Sequence, residues 1–229
     1  MKVKKPGKDE FKKRVAEEAC ELIENEMVIG LGTGSTVGYL IEKIGEKINT
    51  QDLEVSAICS SYQTKERAIK NGIPLTSFEE IKKIDLTIDG ADQVDKKANL
   101  IKGGGAAHFR EKIIARYSEK FVCIVDETKT CEKLNNPVPV EVHPFAKKPV
   151  EKELQKIGAE VEIRKAQRKD GPIVTDNGNF ILDCDFGTIS DPSSLKQELN
   201  NFPGIIEHGL FINLAKTVFI ANEEGIKSI

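Results

Sequence analysis

Nowhere does the sequence run to the roughly 20 consecutive apolar residues of a membrane-spanning helix, which argues against an integral membrane protein. Charge of either sign is not in excess, with a net value of -3, so there is no global pull towards nucleic acid or acidic membranes. An anionic ligand would therefore need a local cradle. Cysteines are few: Cys20, Cys59, Cys123, Cys131 and Cys184 are odd in number, lack close pairs and mostly sit in apolar patterns. They read as reduced thiols of a cytoplasmic protein rather than a disulfide framework. His108, His143 and His208 lack ligand spacing among themselves and with the cysteines, so zinc has little support. No G-x-S-x-G nucleophile elbow, internal repeat or low-complexity segment occurs. The basic start, Met1-Lys2-Val3-Lys4-Lys5-Pro6-Gly7-Lys8, leads into an amphipathic charged stretch and not into the apolar core of a signal peptide.

What is present is an ordinary globular composition, 39% hydrophobic and 31% charged over 229 residues, enough for one large domain or a domain with a smaller companion. Phe11, Val15, Ala19, Leu22 and Ile23 recur at helical spacing over residues 10–26, and Met27-Val28-Ile29 then reads as a buried strand. After the glycine-rich turn at 30–36, Val37, Leu40, Ile41, Ile44 and Ile48 predict a second helix, and residues 53–58 a second strand. The pattern repeats with a polar turn at Cys59-Ser60-Ser61, a helix over 62–71, a strand over 85–88, a helix over 106–118 and an apolar strand over 121–125. Strands apolar on both faces alternating with helices predict an α/β fold, a parallel sheet with helices on both sides.

Beyond Lys133 prolines punctuate the chain and hairpin signals appear. We expect a second, smaller α+β domain over 135–206, with 1–134 and 207–229 forming the main one. Its parts would be a strand over 138–142, a helix over 150–157, a strand over 159–165, a hairpin over 172–186 turning at Asn177-Gly178, and a helix begun by Asp191-Pro192. By length, the apolar segments 210–214 and 217–221 return the chain to the first sheet.

Three loops can carry chemistry. Gly30-Leu31-Gly32-Thr33-Gly34-Ser35-Thr36 joins a strand to a helix, where free N–H groups favour an anion, although such clusters alone prefer a phosphate over a mere tight turn by only about two to one. A nicotinamide fingerprint fails, because position 35 is serine and the second strand ends in Cys59-Ser60-Ser61 rather than an acidic residue. Asp89-Gly90-Ala91-Asp92 follows a strand and lies at the carboxyl edge of the sheet. Its carboxylates can exchange protons with sugar hydroxyls or simply cap an Asx turn, two readings of about equal weight; a magnesium site is a third, made less attractive by Lys102. Lys102-Gly103-Gly104-Gly105 brings a cation and backbone donors to a helix start, and Lys129 adds a further candidate cation. Glu111 points away from the stripe formed by Phe109, Ile113 and Tyr117, so periodicity alone makes it a surface glutamate.

Taken in order, Gly32-Thr33-Gly34-Ser35-Thr36, Asp89-Gly90-Ala91-Asp92, Lys102-Gly103-Gly104-Gly105-Ala106-Ala107 with Arg110-Glu111-Lys112, Asp126-Glu127-Thr128-Lys129 and Val174-Thr175-Asp176-Asn177-Gly178-Asn179 resemble the ribose-5-phosphate isomerase A family. Pro203-Gly204-Ile205-Ile206 with Gly209-Leu210-Phe211 extends the likeness. The resemblance implies a Rossmann-like main domain, a smaller α+β domain, no cofactor and a metal-independent interconversion of ribose 5-phosphate and ribulose 5-phosphate. By the same likeness Glu111 is the general base, Asp89 and Asp92 assist ring opening and handle hydroxyl protons, and Lys102 stabilises the enediolate oxyanion. Thr33, Gly34, Ser35, Thr36, Gly90, Ala91, Gly103, Gly104, Gly105 and Lys129 hold the remainder of the substrate. It also implies a homodimer or homotetramer. Gln93, where the family commonly has glutamate, and His108 are departures outside the catalytic set. A sugar-phosphate sensor domain of a repressor would need a DNA-binding segment longer than the few residues before the first helix, and coenzyme A transfer uses different loops.

Overall fold

The computed structural model describes residues 7–168 and 170–229; the basic stretch 1–6, read above against a signal peptide, lies outside them. The elements are α1 (Lys8–Cys20), β1 (Val28–Leu31), α2 (Ser35–Gln51), β2 (Ser56–Cys59), α3 (Tyr62–Lys70), β3 (Ile84–Asp89), β4 (Gln93–Val94), β5 (Leu100–Ile101), α4 (His108–Arg116) and β6 (Ser118–Asp126). They continue with β7 (Val138–Val142), α5 (Lys147–Lys156), β8 (Glu160–Ile163), β9 (Phe180–Asp185), α6 (Pro192–Leu199), β10 (Ile205–His208), β11 (Leu210–Phe211), β12 (Thr217–Asn222) and β13 (Gly225–Ser228). The chain divides into two compact units: one of residues up to Gly90 with Ile113–Thr130 and Leu214–Ile229, the other of Ala91–Lys112 with Cys131–Asn213.

The first unit carries a sheet in the order β13-β12-β6-β3-β1-β2, parallel except for the edge strand β13. Alternation along its strands separates two faces. Ile29, Leu31, Leu86 and Ile88 pack with the apolar stripes of α1 and α2, among them Val15, Ala19, Leu40, Ile41 and Ile44, all buried. On the other face Ile58 and Ile84 meet Ile114 of α4. Gly30 belongs to β1 rather than to the turn after it, because a Cβ there would collide with Thr87 and Ile114. The absent side chain lets the helix approach the sheet. The chain leaves β1 for β2 on one side and later places β3 on the other, so the order reverses between β1 and β3. In open α/β sheets the crevice beyond the carboxyl ends at such a reversal is where ligands bind.

In the second unit β10-β7-β9-β8 form an antiparallel sheet, and β11-β5-β4 a small three-stranded one. Val138, Val140 and Val142 of β7 enter a core with Leu154, Leu182, Leu195 and Leu199. The intervening Pro139 and Glu141 are buried on the opposite face. Residues 91–112, which a division by composition gives to the main domain, lie in this unit because β5 pairs with β4 and β11. Only the second of the two late apolar segments reaches the large sheet: β12 joins β6, whereas β11 pairs with β5. The Asn177-Gly178 turn has the expected positive φ at Gly178, 82°, but it does not join two long arms. Residues before it make one isolated bridge, Lys165 to Pro172, and β9 takes β7 and β8 as partners instead.

Among the described residues no helix is long and apolar enough to cross a membrane. All five cysteines are free, and burial pushes the Cys20 and Cys59 thiols up to about 11, which keeps them protonated and unreactive. Leu40 of α2 is wholly buried in the core shared with α1 and the sheet. Leu40→Ala is expected to lower the free energy of unfolding by about 2 to 5 kcal/mol, read from denaturant titration; a loss well under about 1 kcal/mol would show that this site collapses around the truncation.

Candidate active site

Each unit holds part of the predicted set. In the first, the turn after β1 begins with Gly32, whose N–H donates to the Ile88 carbonyl at 3.1 Å. A Cβ on Gly32 would occupy the position of the Asp89 carboxylate. That carboxylate is buried, and its Oδ1 accepts from the backbone N–H of Thr33 at 3.1 Å and of Gly90 at 2.7 Å. Gly34, with φ 135°, is the residue before α2, so Ser35 and Thr36 form the first turn of a 17-residue helix. Their position gives an anion the open N–H groups and the positive end of that helix.

Sequence reasoning noted Ser60 and Ser61 only as a polar turn and passed over Thr64. The structure joins them to Thr33: its Oγ1 lies 2.8 Å from Ser60 Oγ, 2.8 Å from Ser61 Oγ and 3.1 Å from Thr64 Oγ1. Thr64 Oγ1 in turn donates to the Gly32 carbonyl at 2.7 Å, and Ser61 caps α3 through Thr64 N. Three hydroxyls thus fix the Thr33 side chain on the turn. Asp126 caps a single 3₁₀ turn at Glu127–Lys129, which carries the half-buried Lys129.

In the second unit Lys102 and Glu111 form a close pair, Nζ to Oε2 3.0 Å, with side chains only 3% and 4% exposed. Burial of Glu111 overturns the surface position that periodicity assigns it. The buried residues of α4 are His108, Glu111, Lys112, Ile114 and Ala115, while Tyr117 at the end of the apolar stripe is 70% exposed and meets the Phe78 ring edge-on. The Lys102 ammonium also lies 5.3 Å from the centre of the Phe211 ring, and Lys112 lies 5.0 Å from it. One buried ring therefore serves two cations.

The glycine run packs beside this pair. Asp92 Oδ2 accepts from Gly104 N at 2.8 Å, and a Cβ on Gly104 would come within 2.7 Å of Asp92 Oδ1. Gly103, at φ 111°, has no room for a side chain either, because His108 Nδ1 and Pro139 occupy the space. The carbonyls of Gly103 and Gly104 accept from Arg164, held by Asp183 in a two-point ion pair. Neither Arg164 nor Asp183 had a sequence signal, being brought together across β8 and β9. Gly105 is exposed and Ala91 half-buried.

Behind α4, Lys112 Nζ contacts Glu207 Oε1 at 2.6 Å and the His208 carbonyl at 2.5 Å. Burial pushes its pKa down to about 8 against the pull of Glu207. His108, fully buried, is held down to about 3 by burial and by the Lys112 charge, and His208 moves in the same direction for the same reasons. His108 stays neutral in the folded protein at pH values where the unfolded chain, with an ordinary histidine pKa of 6.5, takes up a proton. Stability is therefore lost as pH falls from about 6.5 towards 3. Thermal midpoints from pH 7 to 4 are expected to fall less steeply in His108→Gln than in the parent; parallel curves would exclude His108 as a source of the acid sensitivity.

The chain is an α/β protein whose first unit has a hydroxyl-bearing glycine turn at a sheet reversal and whose second unit has a buried carboxylate–ammonium pair. The sequence matches the family profile described as ribose 5-phosphate isomerase A (phosphoriboisomerase A) over residues 56–225. It is 48% identical to ribose-5-phosphate isomerase A of Methanothermobacter thermautotrophicus, covering 95% of this chain and 96% of that one. With the Methanosarcina acetivorans protein of the same name it shares 46% identity over 90% and 88%. Among solved structures, a D-ribose-5-phosphate isomerase in complex with phospho-erythronic acid superposes with a TM-score of 0.96 at 44% identity, covering 98% of this chain and 99% of that one. The Methanocaldococcus jannaschii enzyme gives 0.94 at 40%, covering 97% and 99%. The chain belongs to the ribose 5-phosphate isomerase A family, a family of aldose–ketose isomerases.

Proposed function

We propose that the protein interconverts ribose 5-phosphate and ribulose 5-phosphate by proton transfer through an enediolate, without a metal ion. The observation that carries this reading is the Lys102–Glu111 pair, a carboxylate and an ammonium 3.0 Å apart and almost sealed from solvent. In the open-chain aldose, Glu111 takes the C2 proton while the C1 carbonyl oxygen gains negative charge beside Lys102. Glu111 then returns the proton to C1, the O2 hydroxyl proton departs, and O1 is protonated, leaving the ketone at C2. A base of this kind must serve both carbons and be shielded from water, and a fixed cation must face the developing oxyanion.

Asp89 and Asp92 are assigned to ring opening and to the hydroxyl protons. Thr33, Gly34, Ser35, Thr36 and Lys129 are assigned to the phosphate and its neighbouring atoms, with Gly90, Ala91, Gly103, Gly104 and Gly105 supplying backbone contacts. The ligand of the solved relative supports an enediolate: the carboxylate of phospho-erythronic acid presents two oxygens on a planar carbon at the end of a phosphorylated chain. We also assign the protein to the cytoplasm and to a homodimer or homotetramer, the latter on family likeness and checked by light scattering after gel filtration.

Glu111→Gln is expected to lower kcat by at least about a hundredfold while substrate still binds, measured by coupled assay and calorimetry. Unchanged kcat would remove Glu111 from the base position. Ribose 5-phosphate deuterated at C2 should carry label to C1 of ribulose 5-phosphate, and chelator should leave the rate intact. Activity lost to chelator and regained with a divalent cation would instead place a metal at Asp89 and Asp92.

A further inference from the structure

Arg110, Glu111 and Lys112 are consecutive, and each is anchored to a different part of the second unit. Glu111 faces Lys102, and Lys112 holds Glu207 and the His208 carbonyl. Arg110 reaches the turn before β9, where its Nε donates to Asn177 Oδ1 at 2.8 Å and its second terminal nitrogen donates to the Asp176 carbonyl at 2.9 Å. Asn177 is not a loose surface amide. Its Nδ2 donates to Glu141 Oε1 at 3.0 Å, which fixes the orientation of the amide and commits its oxygen to Arg110.

Glu141 itself is fully buried in β7, on the face away from the valine core. Its Oε1 collects Thr175 Oγ1 at 2.8 Å, Asn177 Nδ2 at 3.0 Å and Asn179 Nδ2 at 2.9 Å. Its Oε2 has no hydrogen-bond partner among the described residues. Burying a carboxylate on neutral donors, with one oxygen unserved, is expensive. Closing the turn does not require it: Thr175 N to Asn179 O, Gly178 N to Thr175 O and the positive φ of Gly178 already do so. What Glu141 adds is a fixed side-chain amide at Asn177.

We infer that Asn177, oriented by the buried Glu141 carboxylate, is a positioning residue for the isomerisation, acting through Arg110 on the first turn of α4 and so on the adjacent Glu111. The inference rests on the reading of Glu111 as the base. Arg110 and Asn177 act on the carboxylate's position and not on substrate, so their effect must appear in kcat rather than KM.

The test is a double-mutant cycle of Asn177→Ala and Glu111→Gln, with Arg110→Ala as a second entry to the same link should the turn variant fold poorly. Asn177→Ala and Arg110→Ala are each expected to lower kcat about tenfold with KM within about threefold of the parent, since small misplacements of a catalytic group act on the chemical step. In the Glu111→Gln background the same changes should alter the residual rate by less than about twofold, because the group they position is already lost. Glu141→Gln keeps the acceptor oxygen and should retain most of kcat, whereas Glu141→Leu should match Asn177→Ala. Equal losses in both backgrounds, or a lower melting temperature with kcat unchanged, would overturn the inference. Full activity in Glu111→Gln alone would overturn it too, by a distinct signature, since the base assignment itself would have failed.

Discussion

A carboxylate and an ammonium 3.0 Å apart and nearly sealed from solvent set the terms for the second unit. Their attraction does not by itself repay the loss of hydration, and removing one partner would leave the other as an uncompensated buried charge. Such a pair persists only where the surrounding chain supplies polar atoms at fixed positions. Lys102 is held by its backbone N–H on the Gly209 carbonyl at 2.9 Å and by the Phe211 ring beneath its ammonium. The pairing of β5 with β11 sets Lys102 beside this segment.

The same constraint explains why α4 buries a polar face. His108, Glu111, Lys112 and Ala115 follow helical spacing, yet three of the four are titratable. Each meets a partner or a neutralising environment: Glu111 has Lys102, Lys112 has Glu207, and His108 is kept uncharged by burial beside Lys112. A buried helix face made this way supplies little hydrophobic stabilisation, and the shortfall is met elsewhere. Ile114 provides the apolar contact with Ile58 and Ile84 in the first unit, and Gly30 makes room for it.

These facts decide what could be read from sequence. The parallel sheet was legible because strands covered on both faces are apolar throughout, as Phe121-Val122-Cys123-Ile124-Val125 is. The glycine turns and the Asp191-Pro192 helix start were legible because they are local, set by neighbours in the chain. Glu111 was misread by periodicity, since hydrophobic spacing finds only apolar faces, and it was reached through the ordered family motifs. Arg164 with Asp183, and Glu141 with Asn177, have no local signature at all: each is a contact between residues tens of positions apart or across strands, polar in types that are ordinarily exposed. Leu210-Phe211 was given the wrong sheet because a two-residue apolar strand carries no information on its partner.

The glycine clusters acquire a second meaning from the structure. Read alone, they are seats for a phosphate, valued for their free N–H groups. Yet at Gly32 the Asp89 carboxylate lies where a Cβ would be, and at Gly104 a Cβ would press within 2.7 Å of Asp92 Oδ1. The N–H groups of Thr33, Gly90 and Gly104 are directed at these two carboxylates. Part of the donor capacity of each loop is thus spent on the protein's own acids, which fixes them in place before any ligand arrives. A loop that only bound phosphate would tolerate a small side chain pointing away from the anion. Here the space a side chain would take is already occupied by a carboxylate, so the preference for glycine is set by the protein's own acids before any anion binds.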